Sequence, residues 1–543
     1  MLCKTFLLRK HSKAKPQAAL AAVLVLLGLL TGCKPALVLT YHYDNYRSGW
    51  NHDESTLTSA KVLSSFGQLY NIPLDDQVDV QPLIVPIVDV SVGSKTGVHN
   101  VVYIETESNT IYMIDAVKGD VLYSKNLGTP VPTPLGCNNN GPNVGIDGTP
   151  VIDSKALTMY VITYTMEGGN PTYRLHALDI GSLAERMPSV VVTASHTLSN
   201  GTTFNFQAKY QRQRPALLQA NGNIYAGFGS FCDWGGSNSR GWVLGWNASS
   251  LSPLSANQMN DTQVSEPNGQ FLSSVWMSGS GLAADSSGSV YFVTGNSDKS
   301  GTTYDGVTNI QESVVKDASD LNKVQSLFTP ADVATLDQGD TDFGSGGVIL
   351  LPKAFKQDAS FGAAAGKDGN LYLLDLSNLG GKSATGIGGT PVSVGGCWCA
   401  QSYFYDGDLH IVSSGGSNLI LWKLQTSPSV SLVQQATSGS IGGSQDPGFF
   451  TSVTSHGAKS SSDPIIWAVS RPDVAGTASS PGPIYLWAFK GQPSGSSLTQ
   501  IYKAQAGGWY TPGDNANANL VPVIANGRVF VASYKQLRIF GLN

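Results

Sequence analysis

The chain has 543 residues, of which 41% are hydrophobic and only 13% charged, with 61 glycines and a net charge of −5. The charged share is roughly half the ~25% usual in soluble proteins. No run of Lys and Arg recurs after residue 15 that could track a phosphate backbone, which argues against nucleic acid as a partner. The length admits several ordinary domains or one large domain built from repeats.

The first elements in chain order are not fold. Lys4, Arg9, Lys10, Lys13 and Lys15 precede the apolar run AALAAVLVLLGLL, whose length suits the core of an export signal and is short for a bilayer span. Residues 1–32 are therefore expected to be a signal peptide. The run closes on LTGC, Leu30 to Cys33, which resembles a bacterial lipobox. That resemblance implies a lipidated Cys33 as the mature N-terminus, and with Lys34 next to it an outer-membrane or periplasmic-face lipoprotein. An ordinary secretory signal that happens to contain Cys33 is the alternative. Residues 33–65 then read as lipid tether and N-terminal segment, and residues 66–543 as the folded body.

That body is organised by one repeating unit: an apolar strand, a Gly/Asn turn, a strand carrying Tyr or Phe, then further strands. Copies of the middle strands begin at Val101 (VVYIETESNTIYMIDAVKGDVLY), Thr158, Asn223, Ser289, Phe361 (FGAAAGKDGNLYLLDLSN), Asp408, Ile465 and Arg528 (RVFVASYKQLRIFGL). Their spacing of roughly sixty residues and their alternating apolar pattern predict an all-β, eight-bladed β-propeller of four-stranded blades. Small or proline-led runs such as GTPVID, GSGGVILLP and VPVIANG suit inner strands that crowd a central channel. A set of separate β-sandwiches would need linkers between its members, and no Pro/Ser/Thr-rich stretch is long enough. The last unit supplies only three strands, while FGQLYNIPL, Phe66 to Leu74, has no partner of its own. The N-terminal strand is therefore expected to pair with the C-terminal blade and close the ring.

The stretches YHYDNYRSGWNHDESTLT, QRPALLQANGNIYAGFGSFCDWGG, GSGGVILLP, AGKDGNLYLLD and VPVIANGRVFVASYKQLRIFGL together resemble the pyrroloquinoline-quinone-repeat, quinoprotein-like propeller superfamily, in an exported bacterial lipoprotein subgroup. The superfamily's Asp, Gly and aromatic spacing is met by Asp115, Gly119 and Tyr123; Asp375 matches it approximately, and Asp179 lacks the Gly. The resemblance implies either a non-catalytic module, as in the lipoprotein of outer-membrane barrel assembly, or a dehydrogenase. In the dehydrogenases quinone lies over the channel under a disulfide of adjacent cysteines, near a calcium ion and a catalytic Asp. Here Trp398 separates Cys397 from Cys399, so that adjacent pair is not reproduced and no calcium ligands are assigned.

In a four-stranded blade the links between blades and the links between second and third strands share one face. Cys137, Cys232, Cys397 and Cys399 all fall in such links, and in an oxidising compartment they admit three pairings. Loop stapling is the expected use, with a redox role for the Cys-X-Cys pair as the alternative. The same face carries Asp337, Asp340 and Asp342, read as a solvated acidic loop rather than a Ca²⁺ site, together with Trp234, Trp276, Trp398 and Trp509. These carboxylates and indoles are the candidate ligand face, against the plainer reading of the indoles as packing between blades or under loops. The histidines are scattered, and no nucleophile elbow, phosphate loop or zinc-protease motif is present. No catalytic residue, resident metal or cofactor is assigned. The leading expectation is an exported, lipid-anchored binding or assembly module of the cell envelope with a protein or glycan partner. A quinone- and calcium-dependent dehydrogenase of alcohols or sugars is the alternative, and a glycan-binding propeller a further one.

Overall fold

The computed structural model describes residues 35–139, 141–442, 447–512 and 519–543; the expected signal peptide, residues 1–32, and the expected lipidation site Cys33 lie outside them. The strands assemble into eight radial sheets, each antiparallel from an inner to an outer strand. Blade 1 is built from Leu83–Val90, Gly97–Glu105, Thr110–Asp115 and Val121–Asn126, and blade 2 from Val151–Asp153, Thr158–Glu167, Asn170–Asp179 and Glu185–Val191. Blade 3 uses Leu218–Ala220, Asn223–Ser230, Trp242–Asn247 and Gln258–Met259; blade 4 uses Ala283–Ala284, Val290–Val293, Val314–Asp317 and Val324–Pro330. Blade 5 comprises Val348–Pro352, Ala359–Ala365, Asn370–Asp375 and Val392–Ser393, and blade 6 Ser402–Tyr405, Leu409–Ser413, Ile420–Gln425 and Ser431–Thr437. Blade 7 comprises Phe450–Thr454, Ile465–Ser470, Ser480–Lys490 and Gln500–Trp509. Among the described residues no helix is long and apolar enough to cross a membrane.

Blade 8 takes Val523–Ala525, Arg528–Ser533 and Gln536–Leu542 from the C-terminus and its outer strand, Phe66–Pro73, from the N-terminus. Phe66 pairs with Leu542, Tyr70 with Ile539 and Pro73 with Gln536, with a bulge between Gln68 and Tyr70. This is the predicted closure, and it leaves neither orphan edge open. Gly119 in blade 1 has φ +72°, and a Cβ there would come within 3.0 Å of the Tyr70 side chain, so the Asp115–Gly119 turn is shaped against the closing strand of the neighbouring blade. Gly381–Ser383, in the loop between the last two strands of blade 5, adds a parallel fifth strand to blade 4. Successive blades bury apolar side chains against each other, as in the cluster shared by blades 8, 1 and 2 and that shared by blades 5, 6 and 7. Dispersion and the hydrophobic effect therefore act mainly between sheets.

Alternation of strand direction sorts the turns onto two faces. Links between blades and second-to-third-strand links lie on one face, here the mouth face; inner-to-second and third-to-outer turns lie on the opposite, far face. The segment ahead of the closing strand does more than tether. Its backbone and side chains bond the inner strands or their leading residues in all eight blades: Val38 to Ile84, Leu39 to Ile152, Asn45 to Gln219 and Ala284, Tyr46 to Leu350, Ser48 to Tyr403, Gly49 to Val453 and Tyr43 to Ile524. Trp50–Asn51 then runs parallel to Val453–Thr454. The tight path puts His42, Tyr43 and Arg47 at positive φ, a strain that only a surrounding structure can hold.

Arg47 is the centre of this plug. It is fully buried, and its guanidinium donates to the carbonyls of Leu282 (2.7 Å), Tyr41 (2.9 Å) and Leu217 (3.3 Å) and to Thr40 Oγ1 (2.7 Å). Those acceptors belong to the plug itself and to blades 3 and 4, so one side chain ties three parts of the ring together. Replacing it by Met leaves buried carbonyls without donors at about 1–3 kcal/mol each. Arg47→Met is expected to lower the urea unfolding free energy by at least about 3 kcal/mol, read from equilibrium denaturation; an unchanged midpoint would show that the plug is dispensable.

Candidate functional site

The plug enters from the far face and reaches its deepest point at Tyr41 and His42. Tyr41 packs in one apolar cluster with Ala216, Ala400, Phe450 and Val521, residues at or just ahead of the inner strands of blades 3, 6, 7 and 8. His42 stacks on it at 4.4 Å. His42 is fully buried, and that burial drives its pKa down to about 3, so the imidazole is neutral. Tyr41 and His42 thus form an apolar floor across the channel, below the mouth-face links.

Polar residues ring this floor. Asp79, Asp147, Arg214, Trp398 and Asn519 each stand four residues ahead of the inner strand of their blade, where a strand about to enter the ring projects its leader over the mouth. Lys367 comes from the second-to-third-strand turn of blade 5. Its ammonium lies 2.5 Å from Asp342 Oδ2 and 3.6 Å from Asp340 Oδ1, donates to the Asp340 carbonyl, and sits 5.7 Å and 5.5 Å from the ring centres of Trp276 and Trp398. Burial works against its charge, but Asp342 and then Asp340 outweigh it and hold the ammonium above its ordinary value. Glycines make this convergence sterically feasible. A Cβ on Gly295 would collide with Asp342 Oδ1 and stand 3.0 Å from Trp276 Nε1, and one on Gly366 would come within 2.5 Å of Phe343 Cα.

Asp342 is anchored from below. Its Oδ1 accepts the Asn296 amide at 2.8 Å, and Asn296 Nδ2 donates to Asp340 Oδ1 at 2.8 Å. Two further acids feel its charge. Burial, then Asp342, raises Asp233 to about 6 and keeps buried Glu312 well above the carboxylate range. Asp233 follows Cys232, which is bonded to Cys137; this disulfide ties the blade 1–2 link to the blade 3 loop that carries Asp233. The other disulfide is Cys397–Cys399, so the structure selects one of the three pairings. Both sulfurs are buried under Gln401 Nε2, at 3.4 and 3.6 Å, and the short loop they close carries Trp398. Ser345 Oγ donates to the Cys397 carbonyl and Arg471 to the Trp398 carbonyl, each at 2.6 Å.

On the blade 1–2 side lies a second acid group that sequence inspection missed. Carboxylate oxygens of Asp79, Glu107 and Asp147 all fall within 4.8 Å of one another, buried. Arg212 Nε lies 2.5 Å from Asp147 Oδ2, and the Gly145 amide donates to Glu107 Oε2. Burial, then the Asp147 charge, pushes Asp79 up to about 7 and Glu107 well above its ordinary value. Burial opposes the Arg212 charge, but Asp147 more than restores it. Arg214 joins the two halves: its charge acts on Asp79, and its guanidinium lies 5.6 Å from the centre of the Trp276 ring. Trp276 therefore has two cations within about 6 Å of its ring centre, Arg214 and Lys367.

Of the sequence-level candidates, Trp276, Trp398, Asp340 and Asp342 meet around Lys367. Three others stand elsewhere. Trp509 is fully buried in the apolar contact of blades 7 and 8, so it is core and not ligand face. Asp337 is buried too, accepting the Ser297 amide at 2.6 Å and Gln311 Nε2 at 3.2 Å. The reading of Asp337, Asp340 and Asp342 as a solvated acidic loop is therefore corrected: of the three carboxylates only that of Asp340, with 48% of its side chain exposed, faces water. Trp234 is 58% exposed and lies against Gly136 beside the Cys137–Cys232 bond. Lys367 was invisible in sequence because a Lys in a KDGN turn looks like ordinary surface. The four-residue offset ahead of the inner strands was the signal available for Asp79, Asp147 and Arg214.

No protein-family model matches the sequence, and no curated protein matches it. Solved structures do share its shape. A quinohemoprotein alcohol dehydrogenase from Pseudomonas putida HK5 aligns with TM-score 0.57 at 14% identity over 94% of this chain and 80% of that one. A europium-containing methanol dehydrogenase aligns with TM-score 0.59 at 10% identity over 96% and 100%. BamB from Moraxella catarrhalis aligns at TM-score 0.47 and 12% identity over 88% and 100%. The fold is that of the quinoprotein-type, pyrroloquinoline-quinone-repeat propellers; at these identities the likeness speaks for architecture and not for activity.

The acid group has a pH signature. Asp79 and Glu107 hold protons in the folded chain that an unfolded chain releases above about pH 4, so their contribution to stability falls as pH rises from about 4 through 7. A double replacement, Asp79→Asn with Glu107→Gln, removes that loss. Thermal melts between pH 4.5 and 8 are expected to fall less steeply for the variant, with a gain of roughly 2–4 kcal/mol over wild type at pH 8. Parallel curves would refute the shared burial of protons.

Proposed function

We propose that this chain, with its quinoprotein-type fold, is an exported small-ligand-binding propeller of the cell envelope, and that a planar, carboxylate-bearing molecule occupies its mouth. The observation that carries this is Lys367, held with only 15% of its side chain exposed between two indole rings and against Asp342. Desolvating a cation at this depth is costly, and placing it over an aromatic floor beside Arg214 suits a flat anion that stacks and pairs at once.

A quinone of the kind used by quinoprotein dehydrogenases fits this donor set. Trp276 offers the flat face, Arg214 and Lys367 offer two cations, and Asp342 offers an acceptor that the Asn296 amide holds in place. When bound, such a quinone supplies a two-electron acceptor for an alcohol or sugar carbon. Asp342 would then stand where a substrate hydroxyl proton can be received, and the apolar Tyr41 floor would keep water from reaching the site from below. For a metal the fit is poorer. Among the described residues the group close enough to share an ion is Asp79, Glu107 and Asp147, and Arg212 already pairs with Asp147. Export and tethering through Cys33 complete the reading.

The non-catalytic binding or assembly module remains a second reading, favoured by one observation. Trp234, Val264 and Val307 are 58%, 47% and 83% exposed on mouth-face loops, an apolar rim of the kind protein partners cover. The two readings separate in one experiment. Quenching of tryptophan fluorescence on titration with pyrroloquinoline quinone is expected for the purified protein, and a dye-linked assay with alcohols and aldoses follows turnover. Lys367→Ala and Asp342→Asn should each weaken quenching by at least about tenfold, while Trp234→Ala leaves it unchanged. No binding by wild type, with capture of an envelope protein that Trp234→Ala abolishes, would establish the assembly reading instead.

A further inference from the structure

We propose that the far face is the membrane-facing side of this protein, that its occupant is a lipid bilayer surface, and that the mouth therefore opens away from the membrane. The inference rests on the lipid-anchored reading of Cys33. Its geometry comes from how the N-terminal segment enters the ring.

Ala36 is clamped in both directions to one residue: its amide donates to Asn526 Oδ1 at 2.7 Å, and Asn526 Nδ2 donates back to the Ala36 carbonyl at 3.1 Å. Asn526 sits in the turn between Val523–Ala525 and Arg528–Ser533, an inner-to-second-strand turn, which by strand direction belongs to the far face and lies close to the axis. From there the chain climbs to Tyr41 under the mouth and comes back. On the way down Glu54 Oε2 accepts the Gly527 amide, and Ser59 bonds Asp463 in the corresponding turn of blade 7. Entry and exit of the plug are thus on the same face.

Two residues, Lys34 and Pro35, separate Cys33 from Ala36, a reach of at most about 11 Å over three fully extended steps. The inner strand of blade 1, Leu83–Val90, spans about 26 Å from mouth to far face at ~3.3 Å per residue. Acyl chains on Cys33 therefore have no path to a membrane lying against the mouth, either through the channel, which the plug fills, or around the rim. They do have a short path at the far face. Because the tether leaves near the axis, the disc is held with its broad face along the bilayer rather than standing on an edge.

The test uses the full lipoprotein, reconstituted in vesicles of phosphatidylethanolamine and phosphatidylglycerol, and a membrane-impermeant amine-acylating reagent read by peptide mass spectrometry. Exposed lysines mark both faces: Lys118, Lys353, Lys356 and Lys459 lie in far-face turns, and Lys209, Lys299 and Lys535 in mouth-face links. Relative to a soluble Cys33→Ser variant lacking the signal peptide, the far-face set should acylate several-fold more slowly on vesicles, while the mouth-face set keeps its rate. Protection of the mouth-face set, or equal protection of both, would overturn the orientation with the anchor intact. An intact mass showing no lipid on Cys33 would overturn the anchor and the membrane face together.

Discussion

Ring closure is the constraint on which everything else in this molecule depends. Without Phe66–Pro73 the strand Gln536–Leu542 would end the chain as an open edge, and the apolar contact between blades 8 and 1 would have no outer support. Closing the ring with an N-terminal strand has a topological consequence. Whatever precedes that strand must pass the far face, and here it turns into the channel, where bonds to every blade hold it. Closure and plugging are two results of one chain path, and together they fill the centre of the ring.

A plugged channel changes what polar groups at its mouth can do. Charges above an apolar floor have water on one side only, so their mutual interactions are stronger than on an open surface. This is why one ammonium, Lys367, organises Asp342, Asp340, Trp276 and Trp398, and why Asp79, Glu107 and Asp233 are pushed toward protonation. The two halves of the mouth have different characters: blades 3 to 6 bring aromatic faces and a paired cation, blades 1 and 2 a proton-rich acid group neutralised by Arg212. Arg214 belongs to both. A ligand seated over Trp276 would feel both halves at once.

The disulfides serve this geometry in distinct ways. Cys137–Cys232 crosses between blades and restrains the loop that presents Asp233, while Cys397–Cys399 closes a short loop that presents Trp398. Each lies next to a mouth residue. Stapling thus acts locally on site-forming loops, over a ring already held by strand pairing and inter-blade packing.

Much of the architecture was readable from residue order alone. Eight copies of one strand pattern, small or proline-led runs at several inner strands and an unpartnered FGQLYNIPL are local properties, and a repeat whose members contact only their neighbours carries its fold in local pattern. The candidate site was readable only in part. Trp276, Trp398 and Asp342 could be placed on the right face from strand count, but nothing local distinguishes them from Trp509, which turned inward between blades, or from Asp337, which found a buried amide. Lys367, Arg214, Asp79, Glu107 and the Tyr41 plug became a site only when five or more blades were drawn round one axis. Side chains separated by hundreds of residues meet there because closure of the ring, and not sequence proximity, sets their distances.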